Sequence, residues 1–124
     1  MTTLPAALTR PSVSKHSFGN VSGNNNTAIG IDALLSNTAS NNTASGCQAL
    51  LKNTSGFDNT STGFQALMSN TTGARNTANG SGALVSNATA ADNTAIGFQA
   101  LSRNTTGRQR TIVKPEAAAA LIIR

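Results

Sequence analysis

The sequence predicts an all-β fold, a β-solenoid or parallel β-roll of 17-residue repeats. Three observations carry that prediction. First, one unit with the consensus NTAxGFQALxxNTTGxx is written five times, beginning at Asn26, Asn42, Asn59, Asn76 and Asn93, with one residue missing from the first copy. Second, six positions of the unit never vary: the opening Asn, the Thr after it, the fifth-place Gly, an Ala-Leu pair and a second Asn. Third, the unit is too short for the two helices of a helical repeat, yet it fits two strands of about four or five residues joined by turns. A unit this small cannot bury its own apolar face, so one repeat makes one coil and the coils stack.

Within a repeat, Asn93-Thr94-Ala95-Ile96-Gly97-Phe98 alternates polar with small apolar residues and reads as a strand. The invariant Gly marks a bend, a bulge or the close passage of another backbone. The next stretch, Phe64-Gln65-Ala66-Leu67-Met68, reads as a second strand or, alternatively, as a single helical turn ending at Asn70. The closing Asn70-Thr71-Thr72-Gly73 is turn chemistry, because Asn and Gly tolerate positive φ and Thr hydroxyls reach nearby backbone.

Stacking sets equivalent residues about 4.8 Å apart. Two Asn ladders are therefore expected, Asn26, Asn42, Asn59, Asn76 and Asn93 in one, and Asn37, Asn53, Asn70, Asn87 and Asn104 in the other. Amides bonded up and down such a column satisfy one another and require no ligand. The apolar columns are Leu34, Leu50, Leu67, Leu84 and Leu101, with Leu35, Leu51, Met68 and Val85 beside them. In a strand, neighbouring columns point to opposite faces, so one of these two is surplus to a single coil's interior. A further column of Ile31, Cys47, Phe64 and Phe98 is interrupted at Ser81. Five coils make a stack only about 24 Å tall, and so narrow a core argues for self-association, with the Leu and Leu35-type columns as core and seam. On that reading Leu67→Asp releases monomers or aggregates.

The repeat, clearest at Asn93 to Leu101, resembles the head repeats of trimeric autotransporter adhesins and the similar NTAIG-type repeats of phage tail-fibre and other virion fibre proteins. That resemblance implies left-handed parallel β-rolls, three chains around a common axis, and a role in adhesion or as a rigid stalk. The period of 17 is longer than that of the adhesin heads, which leaves the hand of the coil and its strand layout open.

The chain divides into residues 1–25, an extended arm and possible cap; 26–109, the solenoid; and 110–124, a tail. Pro5 and Pro11 favour an extended arm, and Phe18 to Gly23 reads as a degenerate half-coil capping the stack. No basic, apolar leader pattern or membrane-spanning run is present, which weighs against an intact exported adhesin and agrees with a virion protein. In the tail, Arg110 to Pro115 reads as one more strand, and Glu116 to Ile123 as a short helix with Pro115 in its first turn.

Composition narrows the chemistry. The chain has 124 residues, 10% charged and 3% aromatic, one His, one Cys and four carboxylates, too few convergent groups for an enzyme. His16 reads as a surface residue, Cys47 as a small buried one that can form no intrachain disulfide, and Asp58 and Asp92 belong to no calcium motif. No catalytic, cofactor or metal site is expected. The Asn-x-Ser/Thr triplets recur because the ladder recurs. The net charge of +5 is mostly an effect of the two ends, which carry Arg10, Lys15, Arg110, Lys114 and Arg124. Basic ends suit docking on other virion proteins, whereas four Phe with no Tyr or Trp and no basic stripe argue against nucleic acid.

The expectation is a non-enzymatic virion protein, a homotrimeric fibre, spike or capsid-decoration protein, with a host-surface receptor as a further partner. The alternative is a trimeric adhesin head at the bacterial cell surface. A third reading rests on Thr27, Thr43, Thr60, Thr77 and Thr94, whose flat ladder is similar to those of β-solenoid ice-binding proteins.

Overall fold

The computed structural model describes residues 22–113 and the backbone of 121–123. Its seven strands lie in one sheet in sequence order. They are β1 (Thr27–Ile29), β2 (Thr43–Ser45), β3 (Thr60–Thr62), β4 (Thr77–Asn79), β5 (Thr94–Ile96), β6 (Thr111–Val113) and β7 (Leu121–Ile123). Pairing from β1 to β6 is parallel and in repeat register, with Thr27 beside Thr43, Thr43 beside Thr60, and so on to Thr111. The fold is a parallel β-solenoid, and β6 opens a sixth, incomplete coil.

Each repeat holds one strand of three residues, shorter and fewer than the two strands expected. The cause lies in the residues that bracket it. Just before the opening Asn stands a left-handed residue, Asn25, Asn41, Asp58, Arg75 or Asp92, with Gln109 in the same place before Arg110, and just after each of the first five strands stands a Gly with φ between 121° and 141°. Extended backbone has no room to continue in either direction. A Cβ on Gly63 would lie 2.7 Å from the Gly80 carbonyl carbon, so the position needs glycine both for its φ of 122° and for the next coil's approach.

The second half of the repeat is neither strand nor helix. Positive φ recurs at every second residue, at Gly63 (122°), Gln65 (58°) and Leu67 (53°) in the third coil. Overlapping turns result, with the Ala66 N–H donating to the Gly63 carbonyl, Met68 to Gln65 and Asn70 to Leu67. Hydrogen bonds between coils nevertheless continue through these turns: Gln65 N–H donates to the Cys47 carbonyl at 2.9 Å and Leu67 N–H to the Ala83 carbonyl at 3.0 Å. A left-handed Leu costs about 1–2 kcal/mol. Burial of the side chain returns about 1.5–3 kcal/mol.

This geometry also decides what lies inside. In a strand, Ala66 and Leu67 would face opposite ways, but the reversal at Leu67 turns both inward, and both are completely buried. The core is one strand column of Ala28, Ala44, Ser61, Ala78, Ala95 and Ile112, together with the Ala-Leu columns and the two Asn columns. Ser61, the polar member of the strand column, donates its hydroxyl to the Ala66 carbonyl at 2.6 Å.

At the ends, Ser22 to Asn25 stack on the corner of the first coil, where Asn41 N–H donates to the Asn24 carbonyl at 2.9 Å. Phe18 to Val21, the rest of the expected cap, lie outside the described residues, as do the arm before them and the stretch from Lys114 to Ala120. Leu121–Ile123, expected within a helix, instead form β7, antiparallel to β6. β6 offers a sheet edge, and pairing with it satisfies backbone groups that so short a helix could not.

Candidate functional site: the ladders within and the uncharged faces without

The two Asn ladders use different chemistry. In the second ladder the amides bond one another: Asn70 Nδ2 donates to Asn53 Oδ1 at 2.7 Å, and Asn87 Nδ2 donates to Asn70 Oδ1 at 2.9 Å. The other Nδ2 proton of Asn70 goes to the Gly73 carbonyl at 2.9 Å, which closes the corner turn. In the first ladder each Oδ1 accepts the backbone N–H of the next rung, as Asn42 does from Asn59 and Asn59 from Asn76, both at 3.0 Å. Its Nδ2 crosses the coil to the same carbonyl that the second ladder uses. Asn59 and Asn70 thus both donate to Gly73, and Asn76 and Asn87 both to Ala90.

That shared carbonyl went unrecognised in the sequence, although the constant spacing from each Asn to the corner of the turn was its signal. It also locates the residue missing from the first copy. Asn37 reaches the Ala39 carbonyl two residues on, where Asn53 reaches Gly56 three residues on. The deletion sits in the corner turn and leaves both ladders intact. The first ladder ends at Arg110, which stands where a sixth Asn would fall and donates its backbone N–H to Asn93 Oδ1 at 3.0 Å. A depression of about 370 Å³ lined by Leu101, Arg103, Asn104, Thr105, Thr106, Gly107 and Arg110 marks this end of the complete coils.

Leu34, Leu50, Leu67 and Leu84 are wholly enclosed by their own chain, and Leu101 is half-buried at the end. An Asp at Leu67 therefore strikes the fold of a single chain before it reaches any seam between chains. Leu35, Leu51, Met68 and Val85 are half-buried. The larger exposed apolar side chains are elsewhere: Ile31, Phe64 and Phe98 are 51–63% exposed, and Ile29, Ile96 and Val113 are 38–49% exposed. Cys47, expected to be buried, is a half-buried free thiol in the Ile31 column. The apolar–Gly–apolar triplets Ile29-Gly30-Ile31 and Ile96-Gly97-Phe98 were the sequence signal for this stripe, in which two columns flank the Gly column.

The outer face of the sheet carries the Thr column, now six residues long with Thr111, exposed at Thr60 and Thr77 and half-buried elsewhere. Charge gathers at a corner. Arg75 Nε donates to Asp92 Oδ1 at 2.6 Å and its Nη2 to Oδ2 at 3.1 Å, while Arg108 lies 3.6 Å from the same carboxylate. The Arg75 hydrogen bond, opposed by partial desolvation and aided by the charges of Arg75 and Arg108, holds the Asp92 carboxyl below the usual carboxylate range. Arg75 is raised in turn, chiefly by that same bond, and its guanidinium also sits 5.8 Å from the centre of the Phe57 ring. Among the described residues no cluster of His, Cys, Asp or Glu is placed to hold a metal ion, and no helix is long and apolar enough to cross a membrane. No family model, curated protein or solved structure matches this chain.

Proposed function

We propose that this chain is a non-enzymatic structural protein of a phage particle, a homotrimeric fibre, spike or decoration protein in which the solenoid forms the rigid body and the terminal segments meet other virion proteins. The observation that supports it is a row of large exposed apolar side chains in the first, third and fifth coils of a solenoid whose own core is already filled. Ile31, Phe64 and Phe98 contribute nothing to that core and stand exposed on alternate coils of one column, the kind of surface that association between chains would cover. Burial of such stripes between chains removes them from water at about 25 cal/mol per Å². A trimeric adhesin head on a bacterial surface would use the same packing and is the alternative reading.

Molar mass in solution by light scattering tests the proposal. The expected value is three times the 12.5 kDa of one chain, and replacing Phe64 and Phe98 together by Ser should shift it towards one chain while the β-sheet circular dichroism persists. A folded monomer for the unaltered protein refutes the trimer.

The Thr column supports a second reading, binding of ice. Six in-register hydroxyl and methyl pairs on a sheet face without charge form a regular array at about 4.8 Å spacing. Thermal hysteresis that disappears in Thr60→Lys and Thr77→Lys would establish it, and its absence in the unaltered protein removes it.

A further inference from the structure

Corner turns grip the coil that follows them by a device that the last complete coil leaves open. In the second coil the N–H groups of Thr54, Ser55 and Gly56 all donate to one oxygen, the Thr71 carbonyl, at 3.0, 3.1 and 3.2 Å, and the Thr54 hydroxyl donates to it at 3.1 Å. The third coil repeats this: the N–H groups of Thr71, Thr72 and Gly73 converge on the Ala88 carbonyl at 2.8, 3.2 and 3.3 Å, with the Thr71 hydroxyl at 3.1 Å. Each of these corners is a cradle of four donors around a single oxygen. The fourth coil, with Ala88-Thr89-Ala90 in these places, donates no such set to a described residue. In the fifth coil Thr105-Thr106-Gly107 restores the residues of the third and closes the same turn, with Asn104 Nδ2 donating to the Gly107 carbonyl at 2.9 Å as Asn70 Nδ2 does to that of Gly73.

No described residue fills the fifth cradle. The residue one period beyond Thr105, whose carbonyl would stand there, is Ile122, and its backbone lies in β7 against β6. The N–H groups of Thr105, Thr106 and Gly107 and the Thr105 hydroxyl therefore have no acceptor among the described residues. These residues line the depression of about 370 Å³ at this end of the solenoid, together with Arg103 and Arg110. Neither Arg forms an ion pair among the described residues. Arg110 leans over the turn, since a Cβ on Gly107 would run into its Nε. No carboxylate lines the depression, and the Asn104 amide that also borders it is neutral.

We propose that this open corner binds a tetrahedral oxyanion, a phosphate or sulfate group. One of its oxygens takes the place of the missing carbonyl and accepts from the N–H groups of Thr105, Thr106 and Gly107 and from the Thr105 hydroxyl. Its other oxygens face the guanidinium groups of Arg103 and Arg110. Successive backbone N–H groups aimed at one point form an anion-binding concavity, and a charged oxygen is held by such donors more strongly than a carbonyl is. A phosphate ester carries a charge of about −1.5 to −2 at pH 7, which two guanidinium groups match and a single carboxylate does not. All the ligating groups belong to one chain, so the site stands whether or not copies associate.

The experiment titrates the full, isotopically labelled chain with inorganic phosphate, with sulfate and with phenyl phosphate, at constant ionic strength made up with sodium chloride, and follows the amide NMR signals. The expected result is saturable shifts at the Thr105, Thr106 and Gly107 amides that chloride does not produce. Arg103→Gln and Arg110→Gln should each raise the dissociation constant about tenfold, as loss of a charged partner does, with the circular dichroism unchanged. Thr105→Val, which keeps the N–H and loses the hydroxyl, should raise it less. Phenyl phosphate bound as tightly as inorganic phosphate identifies a group carried on a larger molecule as the ligand, and binding of the inorganic ions alone identifies a free ion. Shifts that grow without saturation, or that are as large at Lys52 and Arg75 as at the corner, overturn the proposal. Unchanged affinity in both Arg variants overturns it as well. So does slow hydrogen exchange of the three amides in chloride buffer alone, because an oxygen of the same chain or of a second copy then already fills the cradle.

Discussion

Truncation of Asn70 to Ala tests whether the buried amides are a structural hydrogen-bond chain. Asn70 is fully buried, donates to Asn53 Oδ1 and the Gly73 carbonyl, and accepts from Asn87 Nδ2. After truncation the Gly73 carbonyl keeps its bond from Asn59, and Asn87 keeps its bond to Ala90. Asn53 Oδ1 and one N–H of Asn87 are left without those partners in the interior. Each such group costs about 1–3 kcal/mol, so the expected loss is about 2–6 kcal/mol. At the end of the ladder Asn104 is only half-buried, and its removal leaves Asn87 Oδ1 with the longer 3.5 Å bond from Asn93. Asn104→Ala should therefore cost about 1 kcal/mol. Urea unfolding followed by circular dichroism, at one fixed protein concentration so that any association contributes equally to each variant, gives both values. Asn70→Asp adds a test of sign. A carboxylate there would face the Asn53 oxygen and the Gly73 carbonyl, and burial among acceptors raises its folded pKa above the unfolded value of about 3.9. Stability linked to that group is then fully present below the unfolded pKa and is lost as pH rises through the folded one, so the variant should be firmer near pH 3 than near pH 7 relative to the parent. Equal losses for Asn70→Ala and Asn104→Ala would refute the reasoning, because the cost would then not depend on burial of the ladder.

Other expectations concern the core, the bend and the corner. Leu67→Ala should cost about 2–5 kcal/mol in unfolding free energy, as truncation of a fully buried Leu does. Gly63→Ala should cost more than the roughly 1–3 kcal/mol of its dihedral strain alone, because the new Cβ meets the Gly80 backbone; hydrogen exchange should quicken first in the third and fourth coils. Asp92→Asn should remove a pH dependence that the parent shows. Because the Asp92 pKa is depressed, its contribution is present above the unfolded pKa and lost as pH falls through the folded one. Acid titration of thermal stability in the two proteins measures this, and identical acid limbs would show that the Arg75 pair contributes nothing.

Part of the fold was legible in the sequence because the repeat is itself a coordinate. A constant period with six fixed positions places equivalent residues on one another, so both Asn columns, the Thr column and the glycine column could be read from spacing alone. The single strand per coil could not. Gln65 and Leu67 have ordinary propensities, and nothing local in them announces positive φ. For the same reason the sequence placed Leu35, Leu51, Met68 and Val85 opposite the Leu34 column by strand alternation, whereas the turns leave them half-buried and present Ile31, Phe64 and Phe98 to solvent.

By itself the sequence determined how many complete coils there are, which residues share a column, and that the columns stack, because a covalent period becomes a spatial one when coils lie in register. Only the tertiary structure decided which way each column faces. The left-handed turns at Gly, Gln and Leu that reverse the alternation cost energy within an isolated repeat, and they are held by hydrogen bonds such as Leu67 N–H to the Ala83 carbonyl, which exist only once the next coil is in place.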